Sequence, residues 1–163
     1  MIEVVPFVGP SGAGKSTLSR LVAERLACEG VNATIVSKDS VRAELGKTLF
    51  GEGDTTKGYS VFRWLAHRGI TRRMVADALN DELSGQCKQD SDLILLEGGT
   101  RTRSDYAHTF EGIQLAPDSV HMFLLQLPFA EVTHRLRTRR QQQHRYDDHA
   151  VIQAAKLLGQ YHG

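Results

Sequence analysis

Residues Gly9 to Ser16 read Gly-Pro-Ser-Gly-Ala-Gly-Lys-Ser, and this stretch decides the fold of the chain. It contains every element of a phosphate-binding loop: two glycines separated by four residues, then lysine and serine. The apolar run Ile2 to Val8 precedes it and predicts a strand, and the residues after Lys15 have helical spacing. A strand, this loop and a helix in that order predict binding of a nucleoside triphosphate.

The residue types of the loop suit the phosphate chemistry. Gly9, Gly12 and Gly14 let the backbone curl so that amide N–H groups point at the β- and γ-phosphate oxygens, and the helix start adds partial positive charge. Lys15 would bridge these two phosphates, and Ser16 would place its hydroxyl on Mg²⁺. The other interpretation is a glycine turn followed by an accidental Lys-Ser pair, which the complete pattern behind a strand disfavours. The nucleotide-binding residues predicted here are Gly12, Ala13, Gly14, Lys15, Ser16 and Thr17.

Length and composition indicate one ordinary enzyme domain over residues 1–163. Lys and Arg total 20 against 19 Asp and Glu, so net charge indicates neither nucleic acid nor a membrane as a partner. Cys28 and Cys87 show no paired-motif spacing and are expected to be reduced structural thiols of a cytoplasmic protein. We expect no signal peptide and no membrane span, because the chain opens on a strand and its apolar runs are short.

Strands and helices alternate along the chain. Continuous apolar runs predict further strands over Ala33–Val36, Leu93–Leu96 and His121–Leu127. Such alternation predicts an α/β protein with a parallel β-sheet between layers of α-helices. Together with the phosphate-binding loop it predicts the P-loop NTPase fold with a small helical lid.

Helices are predicted between these strands. They are expected after Lys15, over Lys38–Leu45, from Tyr59 to about Leu83 with Gly69 as a weak point, from Pro128 through Leu136, and from Asp147 or Asp148 to Leu158. Glycines and threonines from Gly46 to Gly58 predict a mobile loop after the second helix.

Polar residues follow the second predicted strand, at the edge of the sheet where such folds bind ligands. Asp39 would face the γ-phosphate and accept the proton of an acceptor hydroxyl, and Arg42, one helical turn away, would hold a phosphate of that acceptor. The alternative is that Asp39 merely caps a helix whose surface carries Arg42.

A second polar group follows the run Leu93–Leu96. Glu97 could hold magnesium through water or pair with Arg42, and two glycines after it would let a ligand approach the backbone. Arg101 and Arg103 could reach acceptor phosphates, or could belong to a solvated basic turn.

A third group lies in the basic stretch that follows Pro128. Arg135 and Arg139 are four residues apart and share a helical face, so both could point at the nucleotide from a closing lid. Their charge would stabilise the transferring phosphoryl group. The other interpretation is a solvated helix face, which we accept for Arg137 and Arg140.

The order of these motifs resembles the polynucleotide 5′-kinase domain over nearly the whole chain, and it is also similar to the related seryl-tRNA kinases and other small P-loop kinases. The resemblance implies ATP as donor with Mg²⁺, with Lys15 on the phosphates as a catalytic residue and Ser16 on the magnesium. It also implies Asp39 as general base, Arg42 at the acceptor's 3′-phosphate, and Arg135 and Arg139 on the donor phosphates and the transition state. The Glu97-Gly98-Gly99-Thr100 stretch departs from that family and is similar to the zeta-toxin-like and antibiotic-modifying kinases.

These observations leave three functions open. The first is transfer of the γ-phosphoryl group of ATP to the 5′-hydroxyl of a polynucleotide, with Arg42, Arg101 and Arg103 as phosphate contacts. The second is transfer to a small-molecule hydroxyl of a nucleoside, nucleotide or antibiotic. The third is a regulatory ATPase that acts by changing shape, with the loop from Gly46 to Gly58 as its switch. The sequence indicates no protein partner.

Overall fold

The computed structural model describes residues 3–50, 69–89, 91–98, 107–113 and 121–143, with the side chains of Phe50 and of residues 139–143 left out. The element labels below number the strands and helices within these residues. No helix in these segments combines the length and the apolar character needed to cross a membrane.

A parallel sheet of four strands organises the described residues. The strands are β1 (Glu3–Val8), β2 (Ala33–Ser37), β3 (Leu93–Glu97) and β4 (Phe123–Leu124), and their order across the sheet is β2-β3-β1-β4. All pairings are parallel, so every strand ends at the same edge of the sheet. The predicted α/β P-loop NTPase fold is confirmed.

Helices pack on both faces of this sheet. Those described are α1 (Lys15–Cys28), α2 (Lys38–Phe50), α3 (Arg72–Gln86) and α4 (Phe129–Gln143). On one face, Val4, Ile94 and Leu96 form a core with Leu79 and Leu83 of α3.

The opposite face uses the alternate residues of the same strands. Val5, Phe7 and Leu95 pack there with Val22 and Ala23 of α1. The side-chain alternation of a strand thus explains why β1 and β3 are apolar at nearly every position: both of their faces are covered.

Two helix boundaries differ from the sequence prediction. Helix α2 continues to Phe50 instead of ending near Leu45, and Gly46 is buried inside it, so the predicted loop does not begin at Gly46. Packing of α2 against its neighbours outweighs the low helix propensity of one glycine. Residues 51–68, which hold the rest of that loop and the start of the next predicted helix, lie outside the described residues.

The predicted helix from Tyr59 to about Leu83 is described only from Gly69 onward. In that part the helix, α3, begins at Arg72, and residues 69–71 are not helical. Gly69 has a φ of 83°, a left-handed conformation that does not belong to a helix. Thr71 then caps α3, because its hydroxyl accepts a hydrogen bond from the amide of Met74 at 3.2 Å. The start of α3 is thus set by the Thr71 cap, two residues after Gly69, and the spacing of apolar residues alone does not show it.

The strand expected over His121–Leu127 shortens to Phe123 and Leu124, which pair with Phe7 and Val8 of β1. It lies at the edge of the described sheet, and both side chains are exposed. The helix predicted after Pro128 is present as α4, with Val132 and Leu136 buried. The last predicted helix, from Asp147 or Asp148, lies outside the described residues.

The two cysteines are not bonded to each other. Cys28 is exposed, and Cys87 packs partly buried against the core on the α3 face. Burial raises the pKa of the Cys87 thiol above its usual value, with a smaller opposing effect of the amino terminus. Its thiol therefore stays protonated at neutral pH, as expected of a cysteine that serves packing.

Candidate active site

The phosphate loop connects the end of β1 to the start of α1. Gly12 and Gly14 adopt positive φ values of 81° and 92°, and Gly14 is the N-cap residue of α1. The amides of Thr17 and Leu18 donate to the carbonyl oxygen of Gly14, at 3.1 and 2.9 Å. The loop therefore enters the helix directly, and the N-terminus of a 14-residue helix faces the site.

Lys15 folds back over this loop. Its ammonium group donates to the carbonyl oxygens of Gly9 at 3.0 Å and Pro10 at 2.8 Å. These neutral acceptors hold the charge beside the loop amides, where phosphate oxygens would be stronger partners for it.

The serine of the loop is joined to the acid at the end of β3. The Ser16 hydroxyl donates to Oε2 of Glu97 at 2.9 Å, and the Ser19 hydroxyl donates to Oε1 of the same carboxylate. The Glu97 carboxylate therefore lies beside Ser16, the residue that the sequence predicts to bind magnesium. Because the Ser16 proton points at Glu97, the lone pairs of its oxygen face away from the carboxylate.

These oxygens fit Mg²⁺, a hard cation that prefers hydroxyl, carboxylate and phosphate oxygens. No group of three His, Cys, Asp or Glu side chains comes together in the described part of the chain. At a nucleotide site Mg²⁺ keeps several waters and takes one or two protein ligands besides the phosphates, and one hydroxyl with one carboxylate is a set of that size.

The carboxyl ends of β1, β2 and β3 lie side by side. Glu97 pairs in register with Phe7 of β1 and with Ser37 of β2. One residue further, a Cβ built on Gly98 would lie 3.3 Å from the Cβ of Lys38, the first residue of α2. The start of α2 is thereby held next to the residue that follows Glu97.

Asp39 and Arg42 form an ion pair in the first turns of α2. Nη1 of Arg42 lies 2.9 Å from Oδ1 of Asp39. The Asp39 side chain is 87% exposed, whereas that of Arg42 is 19% exposed, so a partly buried guanidinium holds an accessible carboxylate. A cap contact comes from Ser37, whose hydroxyl accepts from the amide of Ser40 at 3.5 Å.

Helix α4 packs against the phosphate loop. A Cβ built on Gly12 would lie 3.2 Å from two side-chain carbons of Leu136, and one built on Gly14 would lie 3.8 Å from Nη1 of Arg135. Arg135 also donates from Nε to Oε1 of Glu131 at 2.6 Å. The first predicted lid arginine is therefore beside the loop, held by a carboxylate one turn away.

Several predicted site residues are not placed. Arg139 belongs to α4, but its side chain is outside the description, and Arg101 and Arg103 lie outside the described residues altogether. Their roles stay predictions.

Sequence reasoning overlooked two side chains, Ser19 and Glu131. Ser19 follows Ser16 by three residues, a spacing that puts both on one helix face, and this could have indicated a shared partner. Glu131 precedes Arg135 by four, the spacing of a helical ion pair, and could have been found by the same rule.

A glycine substitution tests how closely α4 packs on the loop. Gly12→Ala is expected to lower the free energy of unfolding by about 1–3 kcal/mol more than Gly30→Ala. Both glycines have φ near 80°, so the backbone strain is matched, but a Cβ at Gly30 would meet nothing within 4 Å. Urea unfolding of both variants measures the difference. Equal decreases in the free energy of unfolding would mean that Leu136 moves aside at no cost in stability.

A parallel sheet with a glycine loop after its first strand, a lysine over that loop and a serine bonded to a strand-end acid defines a P-loop NTPase. The model of the family described as AAA domain matches residues 4–158, and the chain belongs to this family. A comparison with curated proteins finds no match.

Solved structures of small kinases share the fold. A gluconokinase from Sinorhizobium meliloti superposes with a TM-score of 0.54 at 16% identity, covering 95% of this chain and 74% of the other. A shikimate kinase from Acinetobacter baumannii in complex with shikimate gives a TM-score of 0.53 at 19% identity, covering 98% and 75%. The expected likeness to small P-loop kinases is confirmed, and the polynucleotide kinase subgroup stays a prediction.

Proposed function

We propose that this protein is a kinase that transfers the γ-phosphoryl group of ATP to a hydroxyl. The observation that carries the proposal is the hydrogen bond between Ser16 of the phosphate loop and Glu97 at the end of β3. An accidental glycine turn does not explain why Lys15 folds over the loop, nor why Ser16 is hydrogen-bonded to the acid at the end of β3. Both belong to a site that binds Mg²⁺ and a triphosphate.

On the donor side, the loop amides and Lys15 would hold the β- and γ-phosphates. Arg135, whose guanidinium lies beside Gly14, would reach the same phosphates, and Arg139 one turn further along α4 is the second lid arginine. Bound Mg²⁺ would supply positive charge between the β- and γ-phosphates, with Ser16 and Glu97 as its protein partners. Fixed positive charge at the transferring group is the main source of catalysis in such reactions.

On the acceptor side, Asp39 would act as general base. Its carboxylate is accessible, and its pairing with the more buried Arg42 fixes its direction. Because the transition state of phosphoryl transfer is loose, the hydroxyl proton becomes acidic late, and an ordinary carboxylate is basic enough to accept it then.

The 5′-hydroxyl of a polynucleotide is the acceptor that we propose first. Arg42 follows Asp39 by three residues, and Arg101 and Arg103 follow Glu97 of β3, the strand that pairs with β2. With a net charge of only +1, the protein would hold a strand near its end by a few phosphates instead of along a long basic surface.

A small-molecule hydroxyl is the second candidate, and one observation favours it. Nη1 of Arg42 already donates to Asp39. This bond leaves fewer guanidinium donors for the phosphate of a polynucleotide acceptor. The fold neighbours named above, a gluconokinase and a shikimate kinase, carry small-molecule acceptors in their names.

One assay tests these proposals together. The protein is incubated with Mg²⁺ and ATP labelled at the γ-phosphate, and with a panel of oligonucleotides bearing 5′-hydroxyls, nucleosides, nucleotides and sugars. We expect label on one acceptor class, in an amount that Lys15→Ala abolishes and Lys47→Ala, at an exposed lysine of α2, leaves unchanged. If phosphate is released to water and no acceptor is labelled, the proposed kinase function is wrong and the regulatory ATPase is favoured.

A further inference from the structure

Ser19 is a polar side chain in a fully buried position. It lies in the second turn of α1, and its relative exposure is 0%. Its neighbours Leu18 and Leu21 are exposed, so the helix turns a serine, and not its leucines, toward the sheet at this level. A buried hydroxyl lowers stability unless it forms a hydrogen bond, so its partner is informative.

The partner is the acid of the candidate metal site. Ser19 donates to Oε1 of Glu97, and the carbonyl oxygen of Ser16 lies 3.3 Å from the same hydroxyl. A helical serine usually bonds back to a carbonyl of the preceding turn, which would have satisfied it without Glu97. A carboxylate oxygen is a stronger acceptor than a neutral carbonyl oxygen, so we assign the hydroxyl proton to the bond with Glu97.

Glu97 is thus held at both oxygens by one helix. Oε1 accepts from Ser19 and Oε2 accepts from Ser16, three residues earlier on the same face of α1. Because Ser19 is buried and Ser16 is exposed, the contact to Oε1 is the fixed one and the contact to Oε2 faces the phosphate site. The carboxylate therefore has one anchored oxygen and one oxygen directed at the site.

We propose that Ser19 is a positioning residue for metal binding, which acts by fixing the carboxylate of Glu97 toward Ser16. The inference rests on the proposed function, because it assumes that Ser16 and Glu97 serve a magnesium nucleotide. Without the Ser19 hydroxyl, Oε1 loses its donor and the carboxylate rotates to find another, so that Oε2 is no longer held beside Ser16. Partners that orient metal-site oxygens in this way contribute about 10- to 100-fold in metal affinity.

The test measures nucleotide binding and needs no turnover. A fluorescent ATP analogue is titrated into wild type and Ser19→Ala, first in EDTA and then at increasing Mg²⁺. In Ser19→Ala we expect the Mg²⁺ concentration for half-maximal tightening to rise about tenfold, with affinity in EDTA unchanged. Ser84→Ala, at a half-buried serine of α3, is the matched control and is expected to behave as wild type.

A double-mutant cycle separates positioning from packing. If Ser19 acts through Glu97, then adding Ser19→Ala to Glu97→Gln should shift the Mg²⁺ requirement by less than about twofold, because the group that it orients is already altered. Additive shifts, or equal weakening in EDTA and in Mg²⁺, would overturn the positioning role and leave Ser19 as a packing residue. Binding in wild type that Mg²⁺ tightens, with no change in Ser19→Ala, would overturn this inference alone. Wild type that binds no nucleotide would overturn the proposed function as well.

Discussion

Replacing Asp39 by alanine is expected to lower turnover by about 10²- to 10⁴-fold, the contribution of a positioned general base. The affinity for ATP should change by less than about twofold, since an interaction made only in the transition state leaves ground-state binding intact. Steady-state kinetics with the acceptor identified by the labelling assay, together with ATP titration, measures the two quantities separately.

Loss of folding does not account for such an effect. The Asp39 side chain is largely exposed, and surface ion pairs stabilise a protein by no more than about 1 kcal/mol. Helix α2 offers a matched control in its next ion pair, where Nζ of Lys47 lies 3.1 Å from Oε2 of Glu44 with the same three-residue spacing. Glu44→Ala removes an equivalent pair from the same helix and should keep wild-type turnover.

Two outcomes would change the assignment. Wild-type turnover in Asp39→Ala would remove Asp39 as the base. Activity that survives in Asp39→Asn but not in Asp39→Ala would favour an acceptor whose attacking group is a phosphate, because a phosphate oxygen needs no base and asparagine keeps a partner for Arg42.

The sequence predicted the parts of the fold whose chemistry is local. The glycines, lysine and serine of the phosphate loop are required by backbone conformation and phosphate contact, so residues 9–16 alone identify the site. Leu93 to Leu96 is continuously apolar because β3 is covered on both faces, and a short run of this kind is typical of a buried parallel strand.

Features that depend on tertiary packing were not predictable in this way. Gly46 has a poor helix propensity, yet it is buried within α2, where contact with neighbouring elements decides the outcome. The strand expected over seven residues from His121 retains only Phe123 and Leu124, because pairing with a neighbouring strand decides strand length and an apolar run does not show where that pairing stops.

In the candidate site, too, local features were predictable and contacts between distant elements were not. The sequence could place Asp39, Arg42 and Glu97 at strand ends, since each follows an apolar run. It could not tell whether Glu97 meets Arg42 or Ser16, because β3 lies between β1 and β2 and so ends beside the elements that carry both residues. The direction of the Glu97 side chain decides, and in the structure that side chain reaches Ser16 and Ser19 of α1.

The loop lysine should give the other large effect. Lys15→Ala is expected to lower turnover by about 10²- to 10³-fold, as the loss of one fixed positive group at the transferring phosphoryl does, and to weaken ATP binding too. Both quantities fall because Lys15 would contact the β- and γ-phosphates already in the ground state, which distinguishes it from Asp39.

The contacts of Lys15 sharpen this expectation. Its ammonium donates to the carbonyls of Gly9 and Pro10, so alanine removes a brace of the loop as well as a charge. Urea unfolding separates the two roles. If alanine loosens the loop, the free energy of unfolding falls without nucleotide; if it removes only a phosphate contact, the free energy of unfolding falls only when nucleotide is present. Lys47→Ala controls for removing an exposed lysine. Should Lys15→Ala bind ATP and turn over as wild type does, the loop amides alone would hold the triphosphate, and the lysine would be only a structural brace.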